Sequence, residues 1–442
     1  MGVPQKSGPS LETRLEEISK NQVFIEDLSP EEQAKVLKKA AVDILPVGLQ
    51  NLGNTCYLNS CLQVFHALPE IRKLINGLNG LINSPQQRLI KSMTSLFESM
   101  DNSIEAQAPM MFLPAFFECF PQYSERESDN KAFKQQDADE CFQGLLSILE
   151  TGLGNKNGEK LNELFELRVN VTTMPIDLQS NEQIAPQEPR LEVLKKLSCV
   201  IESESGVIQN ISEGIKEGLE DKVEMFSESL GRNAIFLIKS KIISLPTYLI
   251  VQKMRFNWRA GNQAARTEAG KVKILKNVAY PKIFDLYDFC DENLQSKLKP
   301  VRDQIVKDQE TAKDQAQANY EEWVKKEGLE DQETSKSWNA YQKYKKQKED
   351  LDHDKQLWSD NNEGLNTGNY ELVSIVTHKG RSSDSGHYLS WLQYKGDSWL
   401  KMDDDVVTKV SIEDVMNLRG GGDWHMSYFL VYRRLDYLPS KS

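Results

Sequence analysis

The 442-residue chain has no long apolar run. Its best stretch, Asn233 to Val251, is broken by Lys239, Lys241 and Pro246, and a membrane-spanning helix needs roughly 18–20 unbroken apolar residues. Cysteine is sparse: Cys56, Cys61, Cys119, Cys141, Cys199 and Cys290, with no CxxC pair. That argues against a disulfide scaffold and against a cysteine-rich zinc site. The opening MGVPQKSGPS has no apolar signal core, and Lys6 stands where a myristoylation motif needs Ser or Thr. Basic charge is in deficit: 54 Lys+Arg against 66 Asp+Glu leave a net charge of −12. A binder of nucleic-acid backbones needs the opposite. These absences predict a soluble intracellular protein with free thiols that contacts neither membrane nor nucleic acid. The expected compartment is the cytoplasm, with the nucleus as a further one. A monomer without cofactor or metal is expected.

The length allows two to three domains, or one large domain with insertions. Residues 1–46 read as a partly disordered leader. Within it, Ser29-Pro30-Glu31-Glu32 predicts a helix start, the helix running to about Ala41. Residues 47 to about 165 read as mainly helical. Leu58, Cys61, Leu62, Phe65 and Leu68 recur at three and four residues until Pro69, and a second helix is expected from about Asp137 to Glu150. From about 166 to 442 the texture is β-rich. Leu167–Thr172, Ile235–Ile238 and Tyr248–Val251 read as strands, as do Tyr370–His378, His387–Tyr394, Ser398–Met402 and Tyr428–Tyr432. Residues 207–223 carry apolar residues at helical spacing. Residues 296–368, dense in Lys, Glu, Asp and Gln, read as a charged, exposed helical or disordered insertion. The expected fold class is therefore α+β.

Cys56 follows Gly53-Asn54-Thr55 and stands just inside a predicted helix. There the helix dipole and free backbone N–H groups favour a thiolate and can bind an oxyanion. A lone cysteine is more often a small buried hydrophobe, and Cys61, on the apolar stripe, fits that role better. Asn51, five residues upstream, has an amide able to donate to an oxyanion, although an isolated Asn is usually a turn residue. Of five histidines, His66 lies about three turns along the Cys56 helix and His353 is in the charged insertion. His378, His387 and His425 remain. His387 follows the Ser/Gly-rich segment Arg381–Gly386 and opens a strand. A hairpin turn between Gln393 and Asp397 brings it opposite Asp403, within a residue or so of register. The run Asp403-Asp404-Asp405 taken alone reads as an acidic turn. The order Cys, His, Asp is that of papain-like enzymes, with Asp replacing Asn.

These segments carry a family resemblance. Gly48-Leu49-Gln50-Asn51-Leu52-Gly53-Asn54-Thr55-Cys56-Tyr57-Leu58-Asn59 resembles the Cys box of the ubiquitin-specific proteases. Gln135-Gln136-Asp137-Ala138-Asp139-Glu140-Cys141 resembles their Gln-Asp box. Leu245-Pro246 to Arg255-Phe256 resembles their LP…RF strand, and Gly386-His387-Tyr388 with Trp399 to Asp403 their His box. Gly420-Gly421-Gly422-Asp423-Trp424-His425 and Arg381-Ser382-Ser383 resemble the proteasome-associated subgroup. The resemblance implies a papain-like fold, with a thumb over about 47–165 and fingers and palm over about 166–442. It implies a deubiquitinating cysteine protease whose partners are ubiquitin, ubiquitinated proteins and the 26S proteasome. By position, Cys56 is the nucleophile, His387 the base, Asp403 its partner and Asn51 an oxyanion donor. Asp137, Glu140, Gln135 and Tyr388 match positions that hold the ubiquitin tail, and an acidic groove suits that arginine-containing peptide. The subgroup implies autoinhibition by loops 257–270 and 381–386 over the tail groove. The 46-residue leader is too short for the ubiquitin-like domain with which that subgroup usually begins. The four-cysteine zinc site of many relatives is absent, and Asp384 stands in a loop more uniformly serine in relatives. Two other readings compete: a mainly non-catalytic ubiquitin-binding regulator of the proteasome, and a protease for a ubiquitin-like modifier.

Overall fold

A computed structural model describes residues 45–437 except 79–81, 128–131, 178–187, 204–205, 260–269, 327–364, 383–384 and 423. The chain divides after Pro46 into two units. The first lies almost wholly outside the described residues, and with it the helix expected from Ser29.

The second unit begins with helices. Helix α1 (Cys56–Ala67) is buried along nearly its whole length. Pro69 ends its pattern but does not open a loop. It stands at the start of α2 (Pro69–Asn76), where its missing N–H costs nothing. Then come α3 (Pro85–Asp101), whose N-cap Ser84 accepts from Gln87 N, and α4 (Leu113–Cys119). Helix α5 runs over Ala138–Phe165 with a break at Gly154. It is longer than the sequence predicts because the chain resumes helix beyond that break. Phe65 of α1 stacks on Phe142 of α5 at 4.5 Å.

The β-rich part follows. Strands β1 (Leu167–Pro175), β2 (Arg190–Leu194), β3 (Leu197–Cys199), β4 (Glu220–Ser227), β5 (Arg232–Ser244), β6 (Tyr248–Lys253), β7 (Phe256–Arg259), β8 (Gly270–Lys273) and β9 (Ile283–Asp285) come first. Helix α6 (Ile211–Gly218) lies between β3 and β4. It stops short of the helical spacing read over 207–223. Leu219 caps it, and Val223 belongs to β4, its backbone paired with Phe236. Helix α7 (Glu292–Lys326) leads to β10 (Leu365–Ser382), β11 (Ser385–Lys395), β12 (Ser398–Asp403), β13 (Val406–Ser411), helix α8 (Ile412–Met416) and β14 (Met426–Tyr437). One sheet has the order β2-β1-β5-β4 and a larger one β13-β12-β11-β10-β14-β6-β3, with β9 pairing β10. Strands β7 and β8 form a separate pair.

The first part of the charged insertion is docked, not detached. Leu298 and Tyr320 of α7 are buried. Arg302 pairs with Asp285 at 2.5 Å and lies over the Tyr287 ring. The helical and β-rich parts meet through α1, which packs on β11 and α5, and through Glu70, which accepts from Arg433 at 2.7 Å and from the Tyr248 hydroxyl.

Candidate active site

Five residues before α1 build a tight loop. The side-chain oxygen of Asn51 accepts the backbone N–H groups of Gly53 (3.0 Å) and Thr55 (3.2 Å). Gly53 and Asn54 both take positive φ, 95° and 57°, conformations open chiefly to Gly and tolerated by Asn. The Asn54 amide is tied down by Glu127 and the Phe133 carbonyl, both at 2.9 Å. The Thr55 hydroxyl accepts from Leu52 N and makes no cap bond to α1. Cys56 therefore enters the first helical position beside N–H groups that no N-cap side chain occupies.

The partners come from the sheet. Strand β11 pairs with β12 around a Gly396-Asp397 turn, Ser390 opposite Met402. Continuing that ladder places Asp403 opposite Leu389, so His387, two residues on, shares its face. His387 Nε2 is 2.7 Å from Asp403 Oδ1. The other ring nitrogen is left for Cys56, whose hydrogen bond to His387 is the chief reason the imidazole pKa is raised. Against partial burial, Cys56 and Asp403 bring it to about 9. His378 and His425 go the other way: burial foremost, then cationic neighbours, lower them to about 3 and about 4. Of the three candidate bases, His387 is the one whose affinity for a proton is raised.

The sequence reading passed over three further groups. Lys401 Nζ donates to Asp403 Oδ2 at 2.9 Å. Asp404, read as part of an acidic turn, accepts from Asn51 Nδ2 at 2.9 Å and from Asn59 Nδ2 at 2.8 Å. Its carbonyl accepts from Leu49 N at 2.8 Å, and its φ is 51°. Burial raises its carboxyl pKa, with the two amides pulling it back. Asn51 is thus oriented from both ends, its oxygen by the loop and its amide by Asp404. Tyr428 donates to Asp137 Oδ2 at 2.6 Å.

Asp137 is the N-cap of α5, accepting from Asp139 N and Glu140 N. Glu140 is exposed in the first turn. Gln135 lies against the nucleophile candidate, with Nε2 3.7 Å from Cys56 Sγ. Tyr388 is buried, its ring 4.6 Å from that of His378 and 6.1 Å from that of Tyr428. Phe256 packs edge-on against His378 and Tyr428. The loops 257–270 and 381–386 are described only at their roots. Strand β7 pairs with β8, and β10 with β11, while residues 260–269, 383 and 384 lie outside the described residues.

Ligand atoms of His387, Asp403 and Asp404 all lie within 4.8 Å of one another. Each carboxylate oxygen already has a partner: His387 and Lys401 on Asp403, Asn51 and Asn59 on Asp404. An ion would have to compete with those donors. What the cluster can do is hold a thiol beside an imidazole of raised proton affinity, with amide donors on one side and a carboxylate behind.

The family model described as ubiquitin carboxyl-terminal hydrolase matches residues 47–432. Ubiquitin carboxyl-terminal hydrolase 7 of Arabidopsis thaliana is 34% identical over 426 residues, covering 94% of this chain and 82% of the relative. Ubiquitin carboxyl-terminal hydrolase 14 of Caenorhabditis elegans is 32% identical over 399 residues, with 88% and 73% covered. Ubiquitin carboxyl-terminal hydrolase 6 of Schizosaccharomyces pombe is 31% identical over 399 residues, with 89% and 79% covered.

Proposed function

The chain belongs to the ubiquitin carboxyl-terminal hydrolase family as a thiol-dependent deubiquitinating hydrolase, and on that footing we propose that Cys56 is its nucleophile, His387 the general base, Asp403 the base's partner and Asn51 a donor to the oxyanion. The observation that carries this reading is His387 held between Cys56 and Asp403. His387 takes the Cys56 proton, and the thiolate attacks the carbonyl of the ubiquitin C-terminal glycine. The Asn51 amide and the N–H groups at the start of α1 bind the oxyanion, each donor contributing on the order of 3 kcal/mol. The lysine or peptide amine leaves with a proton from His387. Water, deprotonated by His387, then hydrolyses the thioester. The carboxylates of Asp137 and Glu140, with Gln135 and Tyr388, form the tail site, where acidic groups suit arginine.

Cys56→Ala tests this directly. Cleavage of a ubiquitin–fluorophore conjugate should vanish while ubiquitin binding persists. Retained cleavage would overturn the assignment.

The finer reading is a proteasome-associated enzyme restrained by its own loops. It is supported by the segments Gly420–His425 and Arg381–Ser383 and by the paired roots of the loops at 256–273 and 378–388. It places the enzyme in the cytoplasm, with the nucleus as a further compartment. A single chain carries every group the chemistry uses, which supports action as a monomer. Turnover by the isolated chain should be slow and rise on adding purified proteasome. Equal turnover with and without proteasome would contradict it. A ubiquitin-binding regulator without catalysis would bind ubiquitin but form no adduct with a ubiquitin electrophile.

A further inference from the structure

We propose that Lys401 is a positioning residue for the catalytic pair: its ammonium holds one oxygen of Asp403 so that the other stays on His387, and its charge limits how tightly that carboxylate binds the imidazolium. The inference rests on the roles proposed above for Cys56, His387 and Asp403.

Lys401 and Asp403 are two apart on β12, so their side chains leave the same face of the strand. The ladder fixes both places. Lys401 stands between Trp391 on β11 and Thr408 on β13, and Asp403 pairs with Val406. Lys401 Nζ is 2.9 Å from Asp403 Oδ2, while Asp403 Oδ1 is 2.7 Å from His387 Nε2. The two side chains have similar exposure, 29% and 32%. A carboxylate with one oxygen free turns readily about its terminal torsion, which is broad and roughly two-fold. With both oxygens engaged in charge-assisted bonds, it presents one oxygen to the ring. Burial pushes the Asp403 carboxyl up, but hydrogen bonds from His387 and Lys401 outweigh it and hold the group ionised.

The other groups around His387 do not duplicate this. Cys56 faces the ring from α1. Asp404 is engaged by Asn51 and Asn59. His378 on β10 and His425 before β14 are kept neutral by burial. Lys379 is the cross-strand partner of His387. Among the described residues, Lys401 is the cation hydrogen-bonded to Asp403.

The sign follows. Asp403 favours the protonated ring, and the adjacent cation opposes it. Without that cation the imidazolium is held more firmly, so its titration and the alkaline limb of turnover move up. Losing the grip on Oδ2 also lowers the fraction of molecules with Asp403 aligned, so kcat falls. Lys401 does not enter the proposed tail site, so KM stays.

The experiment compares Lys401→Met, Lys401→Gln and Lys401→Arg. It reads kcat and KM on a ubiquitin–fluorophore conjugate from about pH 6 to 10 and titrates His387 by NMR of its ring carbon. Thermal melting confirms that each variant is folded. Lys401→Met should lower kcat about 3–10-fold and move the His387 titration up by roughly half a unit, with KM unchanged. Lys401→Gln, an uncharged donor, should recover most of kcat yet keep the shift. Lys401→Arg should restore both. An unmoved His387 titration in folded Met and Gln variants would overturn the proposal, as would a change confined to KM. If Cys56→Ala retained turnover, the catalytic reading would fail, and the NMR titration would still decide the role of Lys401.

Discussion

His378, His387 and His425 share one neighbourhood and differ by what each faces. Burial strips the proton from His378 and His425, whereas Cys56 and Asp403 keep it on His387. A pH dependence follows. His387 has a folded-state pKa of about 9, above its ordinary 6.5. Its contribution to folding stability is therefore complete below about 6.5 and is lost as the pH rises through about 9. Turnover should fall over the upper end of the same window as the imidazolium is lost. Denaturant midpoints and kcat/KM measured between pH 6 and 10 check both. A flat stability profile for wild type, or one that His387→Ala leaves unchanged, would contradict the sign. The geometry also gives Asp404 a use that an acidic turn lacks, since it aims the Asn51 amide.

At the scale of elements, Asp137 has a structural duty and a proposed binding duty that can be separated. The structural one is to cap α5 through Asp139 N and Glu140 N and to accept from Tyr428. The proposed one is to hold a cationic tail. Asp137→Ala should cost roughly 1 kcal/mol of stability through the cap and raise KM for ubiquitin substrates. Asp137→Asn keeps a capping oxygen but gives up the acceptor for Tyr428, so it should lose less stability than Asp137→Ala while KM still rises. Equal KM in wild type and Asp137→Asn would remove the charge from the account. The α1 stripe, the β1 and β6 strands and the β11–β12 hairpin were legible in the sequence, because their periodicity is local and their turns carry Gly or Pro. The Cys56–His387–Asp403 line was legible because motif residues sit where helix and strand ends must put them. Lys401, Asn59 and Tyr428 were not. Each contributes through a partner that is two residues away on a strand or hundreds of residues away in the chain. No local period marks such contacts. Over 207–223 the helical spacing misled, because Leu219 and Val223 pass from helix to strand without changing apolar rhythm.

At the scale of the molecule, the site is assembled from both parts of the second unit. Asn51 and Cys56 come from the start of the helical part, His387, Asp403 and Lys401 from the edge half of the larger sheet. Asn59 reaching Asp404, Leu49 reaching its carbonyl, Tyr428 reaching Asp137 and Arg433 reaching Glu70 all tie one part to the other. The proposed tail site belongs to this junction, since Asp137 of the helical part meets Tyr428 of the sheet. The central claim is that this junction activates one sulfur among six. The measurement that tests it most directly is labelling the full chain with a ubiquitin bearing a C-terminal electrophile, then mapping the adduct by peptide mass spectrometry, with and without proteasome. The account predicts one adduct, on Cys56, lost in His387→Ala. An adduct on Cys61, Cys119, Cys141, Cys199 or Cys290, or no adduct under either condition, would contradict it.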